Sequence, residues 1–289
     1  MIRMASVEQA LTLITEHART RAMPAETVAL TQAAGRRLAE PVIAEVSQPP
    51  ADVSAMDGYA VSFADMKMGA ALKVAGESRA GQPFSGAVKR GGAVRIFTGA
   101  HVPSGADHIL IQEDAKREGD IVTVTFDQPH AANIRRKGLD FSEGDELIPA
   151  GLVIAEGAIS LAAAANAARV SVRKQPRIGV LANGDELVAP GSKLTASQIV
   201  NSIQPALLAL IRRWGAEAVD LGLARDDEAD VRRRIETPCD VIVTIGGASV
   251  GDYDVVRTAF AAEGFEPIFE KIAVKPGKPT AFGVRRGHL

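Results

Sequence analysis

A glycine-rich run near the end of the chain has the composition of an anion-binding loop. Gly246, Gly247 and Gly251 lie between a predicted buried strand and a predicted helix, with Ser249 among them and Asp254 at the end of the run. Backbone N–H groups of glycines can approach an anion closely, and a helix N-terminus favours negative charge. The run therefore predicts a cradle for phosphate or another oxyanion. An ordinary glycine-rich turn, with Asp254 as a helix cap, fits the same residues.

A second run places three lysines close together on a stiff stretch of chain. Lys271, Lys275 and Lys278 are interleaved with Pro276 and Pro279. Compact ammonium charges suit a tetrahedral oxyanion or a phosphate. The prolines fix the backbone, which favours a binding loop over the alternative of a solvated surface.

Carboxylates recur in the predicted loops of the same half of the chain. Glu186 lies in the run 183–186 and Asp226 in the run 225–227, and each run follows a predicted strand. Asp254 follows a third predicted strand. Hard carboxylate oxygens are the ligands that Mg²⁺ recruits when it also contacts phosphates. Each carboxylate taken alone is also typical of a cap or a turn. The five histidines lack zinc-ligand spacing, and there is no Ser-His-Asp nucleophile elbow.

Composition excludes several classes of protein. The 289 residues carry a net charge of −2, so no global field draws the chain to nucleic acid or to an anionic membrane. No apolar run approaches the length of a membrane helix, and the first residues do not resemble a secretory signal. The single cysteine, Cys239, excludes an intrachain disulfide. We expect a cytoplasmic protein.

The first 172 residues combine helices with a run of short strands. Ser6 and Gln9 fit a capping box at the start of a helix over 7–20. Short β-like runs separated by turn signals predict a small all-β unit over 51–136. A second helix is predicted over 157–168. We therefore expect a discontinuous linking region, 1–50 with 137–172, into which the β unit is inserted.

The remaining region, 173–289, alternates strands and helices. Such alternation predicts a three-layer α/β domain with a mainly parallel sheet. Ligands of such sheets bind beyond the carboxyl ends of the strands. The predicted strands are 177–181, 218–223, 240–245 and 266–269, and the predicted helices are 203–214, 228–236 and 254–262.

Seven motifs also occur in an order known from one family. They lie at 56–61, 97–107, 112–113, 138–140, 184–187, 246–251 and 275–279. Together they resemble the molybdopterin molybdenumtransferase family of the MoeA type, which is related to the second half of gephyrin.

The resemblance implies an elongated, multi-domain homodimer with a composite active site. It implies the insertion of molybdate into adenylylated molybdopterin, with release of AMP and a requirement for Mg²⁺. A molybdopterin adenylyltransferase would be the pathway partner. The linking region would then also be the dimerisation region.

The resemblance further implies roles for individual residues. Asp57 and Thr98 match residues of the β domain that face the partner's cleft, and Asp140 matches an acidic residue of the linking segment. The carboxylates Glu186, Asp226 and Asp254 match cleft residues and are the candidate Mg²⁺ ligands. Lys271 and Lys275 match basic residues of the same cleft and, with these five carboxylates and Thr98, are the candidate catalytic residues. Ser249 and Lys278 match groups near the molybdate oxygens. The candidate positions that bind molybdate or the pterin phosphate are Gly246, Gly247, Ser249, Gly251, Lys275 and Lys278.

Three departures from the family pattern keep alternatives open. Ala182 and Asn183 replace a Ser-Thr pair, and the segment 200–203 lacks a carboxylate of the family. The chain stops at Leu289, before the family's C-terminal β domain, so we expect an incomplete molybdopterin-binding domain. A non-catalytic molybdopterin-binding or scaffolding paralogue is the alternative. A related adenylyltransferase would explain 173–289 but not 1–172.

Overall fold

The computed structural model describes residues 1–246 and 255–285. Within those ranges the chain forms five α-helices, all short, and nineteen strands. The helices are α1 (Val7–Thr20), α2 (Glu156–Ala164), α3 (Ile203–Arg213), α4 (Glu228–Ile235) and α5 (Val255–Ala262). The strands are β1 (Ala25–Ala29), β2 (Val42–Ile43), β3 (Val53–Ser54), β4 (Gly58–Val61), β5 (Ala71–Ser78), β6 (Gly92–Ile96), β7 (His108–Ile111), β8 (Ala115–Glu118), β9 (Ile121–Val124), β10 (Ile134–Arg135), β11 (Glu146–Ile148), β12 (Arg169–Arg173), β13 (Arg177–Asn183), β14 (Leu187–Val188), β15 (Ile199–Val200), β16 (Glu217–Ala224), β17 (Val241–Ile245), β18 (Phe265–Phe269) and β19 (Phe282–Arg285).

The chain divides into two compact units. One consists of Met1–Glu26 together with Val172–Leu289, and the other of Thr27–Ser171. The chain passes from one unit to the other within β1 and again near β12. The finer division into three regions stays a prediction. No helix in the described ranges is both long and apolar enough to cross a membrane.

The first unit contains the α/β sheet. Its strands run in the order β16-β13-β17, and both pairings are parallel. Successive residues of the central strand face opposite sides of a sheet. Val180 accordingly packs with Leu208 of α3, whereas Leu181 packs with Val231 of α4 and Ala259 of α5. Helices therefore cover both faces, as the alternating pattern predicts.

One predicted strand does not join this parallel sheet. The strand predicted over 266–269 is β18, and it pairs antiparallel with β19 in a separate two-stranded sheet. The connection between the two strands carries Pro276 and Pro279. Proline excludes the crossover helix that a parallel connection needs, so the chain returns antiparallel.

Helix α1 belongs to the same unit as this hairpin. The capping box at its start is confirmed, because Ser6 Oγ accepts from the Gln9 N–H and Gln9 Oε1 accepts from the Ser6 N–H. Ala10 of the helix packs with the fully buried Phe269. The Ile2 N–H also donates to the Ile268 carbonyl at 2.8 Å. The first residues of the chain thus lie against its last described strands.

The second unit contains a six-stranded sheet in the order β7-β4-β6-β5-β9-β8. Its pairings are antiparallel except for β5 with β6. Tyr59 and Leu110 contribute to a cluster that also holds Val122, while Ala60 and Ile109 contribute to a second cluster. The alternation places one apolar cluster on each face of the sheet.

His108 is a fully buried ionisable residue in this sheet. Its Nδ1 accepts a hydrogen bond from the Ala132 N–H at 2.9 Å, and its ring meets Phe63 edge-on at 5.4 Å. Burial lowers the pKa of His108 below its ordinary value, and the nearby charge of Asp107 opposes that shift. The imidazole therefore acts in its neutral form as an acceptor that holds the segment around Ala132.

Helix α2 ends earlier than the predicted limit of 168. Its last residue is Ala164, and Asn166 adopts a left-handed conformation with φ of +70°. The Asn166 Nδ2 donates to a carboxylate oxygen of Glu45 at 3.2 Å. Asparagine is tolerated in this conformation and ends helices in this way. The alanine-rich composition concealed that stop.

Candidate functional site

Asp57 and Thr98 are brought together by the pairing of two strands. Asp57 directly precedes β4, and Thr98 lies two residues after β6. The antiparallel pairing sets Gly58 opposite Ile96. The backbone N–H and the hydroxyl of Thr98 both donate to Asp57 Oδ1, each at 2.8 Å. The two residues matched to the family's β-domain positions therefore form one hydrogen-bonded pair.

The surroundings of Asp57 favour its ionised form. Hydrogen bonds from the Thr98 N–H and then from the Thr98 hydroxyl lower the pKa of Asp57 below its ordinary value, and the charge of Arg95 adds to the effect. These donors stabilise the carboxylate and not the neutral acid. Asp57 is consequently an acceptor and not a proton donor at neutral pH.

Arg95 supports this pair from the neighbouring strand. Its guanidinium lies over the rings of Phe97, at 4.7 Å, and Tyr59, at 5.2 Å. It also donates from Nη1 to the Gly58 carbonyl at 2.9 Å and from Nη2 to Gln112 Oε1 at 3.0 Å. The backbone on the C-terminal side of Asp57 is thereby fixed. No motif of the sequence includes Arg95, which lies two residues before the run 97–107 that contains Thr98.

Asp140 lies in the same unit, on a segment fixed by backbone hydrogen bonds. The Asp140 N–H donates to the Gln48 carbonyl at 2.9 Å, and the Gly138 N–H donates to the Pro49 carbonyl at 3.0 Å. Asp140 and Gly99, which follows Thr98, both line one cavity of about 250 Å³.

The predicted carboxylates of the α/β unit lie at the ends of parallel strands. Glu186 follows β13 and Asp226 follows β16. The two strand ends are joined, because the Gly184 N–H donates to the Ala224 carbonyl and the Asp226 N–H donates to Asp185 Oδ1, both at 3.2 Å. The carboxylate of Glu186 folds back against Gly184.

Gly246 directly follows β17, and its backbone lies close to the end of β13. A Cβ at Gly246 would lie 2.2 Å from the Asn183 carbonyl oxygen, and its φ is +91°. No side chain can be accommodated there without a shift of backbone. Glycine at 246 therefore sets how closely β17 and β13 end beside each other. Gly247, Ser249, Gly251 and Asp254 lie outside the described residues.

Asn183 is a buried amide at this edge of the sheet. Its Nδ2 donates to the Arg225 carbonyl at 2.8 Å, and only 2% of the residue is exposed. Its Oδ1 is buried and has no hydrogen-bond partner among the described residues. This amide stands where the family pattern has a hydroxyl. The replacement of the Ser-Thr pair by Ala182 and Asn183 is the feature of the sequence that pointed to this position.

The altered segment 200–203 has a structural use. Asn201 is buried and donates from Nδ2 to Gln204 Oε1 at 2.6 Å. Gln204 in turn donates from Nε2 to the Val180 carbonyl at 2.9 Å and to Asp220 Oδ1 at 2.8 Å. The buried amides thus connect α3 to the sheet.

The three lysines lie on a closed turn that follows β18. The Ile272 N–H donates to the Lys278 carbonyl at 3.0 Å, and the Thr280 hydroxyl donates to the Gly277 carbonyl at 2.7 Å. Lys275 and Lys278 are exposed and Lys271 is half-buried. Within residues 1–246 and 255–285, no ion pair involves any of these lysines and no hydrogen bond joins their turn to Glu186 or Asp226.

The donor set for Mg²⁺ is limited. In the part of the chain that the structure describes, no group of three or more His, Cys, Asp or Glu side chains could hold a metal ion. Glu186 and Asp226 lie at neighbouring strand ends, and the third candidate, Asp254, is outside the described residues. Since Mg²⁺ is held in many sites by one or two carboxylates together with substrate phosphates, these residues fit a shared site and not a closed protein cage.

Comparison with known proteins covers nearly the whole chain. Residues 5–166 match the family model described as MoeA N-terminal region (domain I and II), and residues 179–288 match the model described as probable molybdopterin binding domain. The molybdopterin molybdenumtransferase of Haemophilus influenzae is 38% identical over 88% of this chain and 64% of its own length. The protein of that name from a Nostoc species is 35% identical over 88% of this chain and 60% of its own length.

A solved structure shows the same fold. The molybdopterin biosynthesis MoeA protein from Pyrococcus horikosii superposes with a TM-score of 0.85 at 30% identity, covering 99% of this chain and 73% of that one. The chain spans less than two thirds of the length of the two curated relatives. The family models, the relatives and the fold agree with the order of motifs, and the chain belongs to the MoeA family.

Proposed function

We propose that this chain is a molybdopterin molybdenumtransferase, which inserts molybdate into adenylylated molybdopterin and releases AMP. In the reaction, two Mo–S bonds form to the dithiolene and one oxygen of molybdate leaves as water with the two thiol protons. Water also cleaves the phosphoanhydride, so that AMP leaves and the pterin phosphate remains. The names of the relatives and the order of the motifs support this reaction.

The observation that carries the proposal is the lysine turn. Lys271, Lys275 and Lys278 lie on one short closed turn, and within the described ranges no carboxylate neutralises them. Molybdate and the phosphoanhydride are both anions with tetrahedral centres. Ammonium groups that are not already paired are available to bind these anions and to stabilise charge as the anhydride is cleaved.

The carboxylates that follow the strands of the α/β sheet would hold a metal ion and would not bind the anions directly. Mg²⁺, when bound, would neutralise phosphate oxygens and polarise the anhydride. Glu186, Asp226 and Asp254 are the side chains that would hold it. Asp57, kept ionised by Thr98, and Asp140 would orient groups of the substrate that donate hydrogen bonds.

The proposal includes a homodimer with a composite active site, in which Asp57 and Thr98 of one subunit act with the lysines of the other. It rests on the resemblance to the family. A molybdopterin adenylyltransferase would supply the substrate, and the lone Cys239 is in keeping with a cytoplasmic setting.

The test is release of AMP from adenylylated molybdopterin in the presence of molybdate and Mg²⁺. Lys275→Ala and Asp254→Ala are expected to abolish it, whereas Lys174→Ala, an exposed lysine of the same unit, should leave it unchanged. Wild-type rates in Lys275→Ala would refute the assignment of the lysine turn.

A non-catalytic molybdopterin-binding or scaffolding protein is the second candidate. The buried amide of Asn183, where the family pattern has a hydroxyl, favours it. Binding of adenylylated molybdopterin without any release of AMP would select this candidate.

A further inference from the structure

A cavity of about 250 Å³ lies within the Thr27–Ser171 unit, beside the Asp57–Thr98 pair. Thr98 directly precedes Gly99, which forms part of the cavity wall. The remaining lining residues are Gln48, Pro49, Pro50, Val53, His101, Arg135 and Asp140.

The walls of the cavity are joined to one another through the backbone. Val53 is paired on one side with Arg135 and on the other with His101. The Gly99 N–H donates to the Ser54 carbonyl at 2.8 Å, and the Asp140 N–H donates to the Gln48 carbonyl at 2.9 Å. Because these walls are fixed to their neighbours, the cavity exists before any ligand arrives, and binding requires little ordering of the backbone.

The charged side chains of the cavity have no ion-pair partners among the described residues. Arg135 and Asp140 both line it, yet neither forms an ion pair in residues 1–246 and 255–285. The neighbouring Arg136 differs, because it pairs with Asp52 at 2.6 Å. Arg135 and Asp140 thus line the same space without forming an ion pair with each other. Such a pair complements a ligand that offers both an acceptor and donors.

Size and shape restrict the ligand further. Pockets for whole drug-sized molecules measure roughly 300–1,000 Å³, so this cavity fits a part of a substrate. Pro49, Pro50 and Val53 offer an apolar wall, and Gly99 adds no side chain. A flat heterocycle with a polar edge meets these conditions better than a tetrahedral anion, which Asp140 would repel.

We propose that this cavity binds the aminopyrimidinone ring of the pterin part of the substrate. Asp140 accepts hydrogen bonds from the ring N–H and the 2-amino group, and Arg135 donates to the ring carbonyl. The inference rests on the proposed function, since it names the part of that substrate which this unit recognises. It adds Arg135 and the proline wall to the residues that determine specificity.

The experiment measures binding of free pterin to the full chain by fluorescence titration, without molybdate or turnover. Lumazine, which carries an oxygen in place of the 2-amino group, is the matched probe. We expect pterin to bind at least about tenfold more tightly than lumazine, because an oxygen facing Asp140 replaces a donor by an acceptor. Asp140→Asn should weaken pterin binding by about tenfold and remove most of this discrimination. Glu143→Gln, an exposed carboxylate on the same segment, should alter neither.

Several results would overturn the inference. They are equal binding of pterin and lumazine, unchanged pterin binding in Asp140→Asn when thermal unfolding shows a folded variant, and displacement of pterin by inorganic phosphate. Loss of AMP release with pterin binding intact would count against the proposed function alone and would leave this pocket supported.

Discussion

Thr98 donates two hydrogen bonds to a single oxygen of Asp57, one from its backbone N–H and one from its hydroxyl, each at 2.8 Å. The arrangement joins the end of β6 to the start of β4. It also keeps the carboxylate ionised, because both donors stabilise the charged form.

Removal of the Thr98 hydroxyl should raise the pKa of Asp57. In Thr98→Val the backbone N–H remains, and since that donor is the largest cause of the shift, the pKa should rise only part of the way toward 3.8. Carboxyl-carbon NMR titration measures it. Thr98→Ser, which keeps the hydroxyl, serves as the control, and an unchanged titration in Thr98→Val would contradict the assignment.

Loss of Arg95 should destabilise the Thr27–Ser171 unit and should also raise the pKa of Asp57. Arg95→Gln removes two ring contacts and the hydrogen bond to Gly58, a combined cost of about 1–2 kcal/mol in the free energy of unfolding. Urea unfolding measures the cost. Arg90→Gln, whose side chain is 97% exposed and pairs with Asp65 at 4.0 Å, should cost less than about 0.5 kcal/mol. Equal effects of the two changes would show that the ring contacts contribute nothing.

Gly246→Ala should disrupt the carboxyl edge of the α/β sheet. The new Cβ would meet the Asn183 carbonyl oxygen at 2.2 Å, so we expect a loss of about 3 kcal/mol or a displaced strand end. Gly264→Ala tests the backbone conformation alone, because its φ is +78° and nothing lies within 4 Å of a Cβ there. That control should cost about 1 kcal/mol, and a similar cost at both sites would exclude the close approach as the cause.

The stability of the Thr27–Ser171 unit should depend on the ionisation of His108. Burial lowers its pKa in the folded state below 6.5, so between the folded value and about 6.5 the unfolded chain binds more protons than the folded one. The contribution of neutral His108 to the free energy of unfolding is therefore complete above about pH 6.5, and it is lost as the pH falls toward the pKa of the folded state. His108→Asn keeps an acceptor for the Ala132 N–H without titrating, and it should flatten the dependence measured by urea unfolding at pH 5 to 7.5. A pH dependence that persists unchanged in a folded His108→Asn variant would contradict this prediction.

The composite site of the proposed dimer can be tested by mixing two inactive variants. Asp57→Ala and Lys275→Ala should each lack activity, but an equal mixture should recover up to about a quarter of the wild-type rate, because about half of its dimers are mixed and one of the two sites in each mixed dimer keeps both residues. Subunits are exchanged before assay, and unmixed samples are the controls. Failure to recover activity after demonstrated exchange would place both residues in a site within one subunit.

Local patterns predicted several elements closely because their signals are short-range. The capping box at Ser6 and Gln9 sets the start of α1, and β17 matches the strand predicted over 240–245. The antiparallel return of β18 was not predicted, because the partner of a strand depends on a connection rich in proline and not on the strand itself. The end of α2 depended on one residue, Asn166, whose conformation an alanine-rich pattern does not reveal.

The sequence predicts those residues of the candidate site that belong to a motif. It does not predict the residues whose role depends on packing between distant parts of the chain. The motifs name Asp57 and Thr98, but their hydrogen bonds follow from the observed pairing of β4 with β6. The role of Arg95 depends on its contacts with two aromatic rings, which only the structure shows. The structure likewise shows that the Oδ1 atom of the buried Asn183 has no hydrogen-bond partner among the described residues. The arrangement of the glycine run beyond Gly246 stays a prediction.

The contact of the first residues with β18 has a consequence for synthesis. Ile2 and Ala5 hydrogen-bond to Ile268, Lys271 and Ala273, so their partners leave the ribosome some 260 residues later. The Thr27–Ser171 unit can close as soon as it has emerged, whereas α1 must wait with its apolar side uncovered. Nascent chains arrested before β18 should therefore contain a folded β unit and a protease-sensitive N-terminal helix.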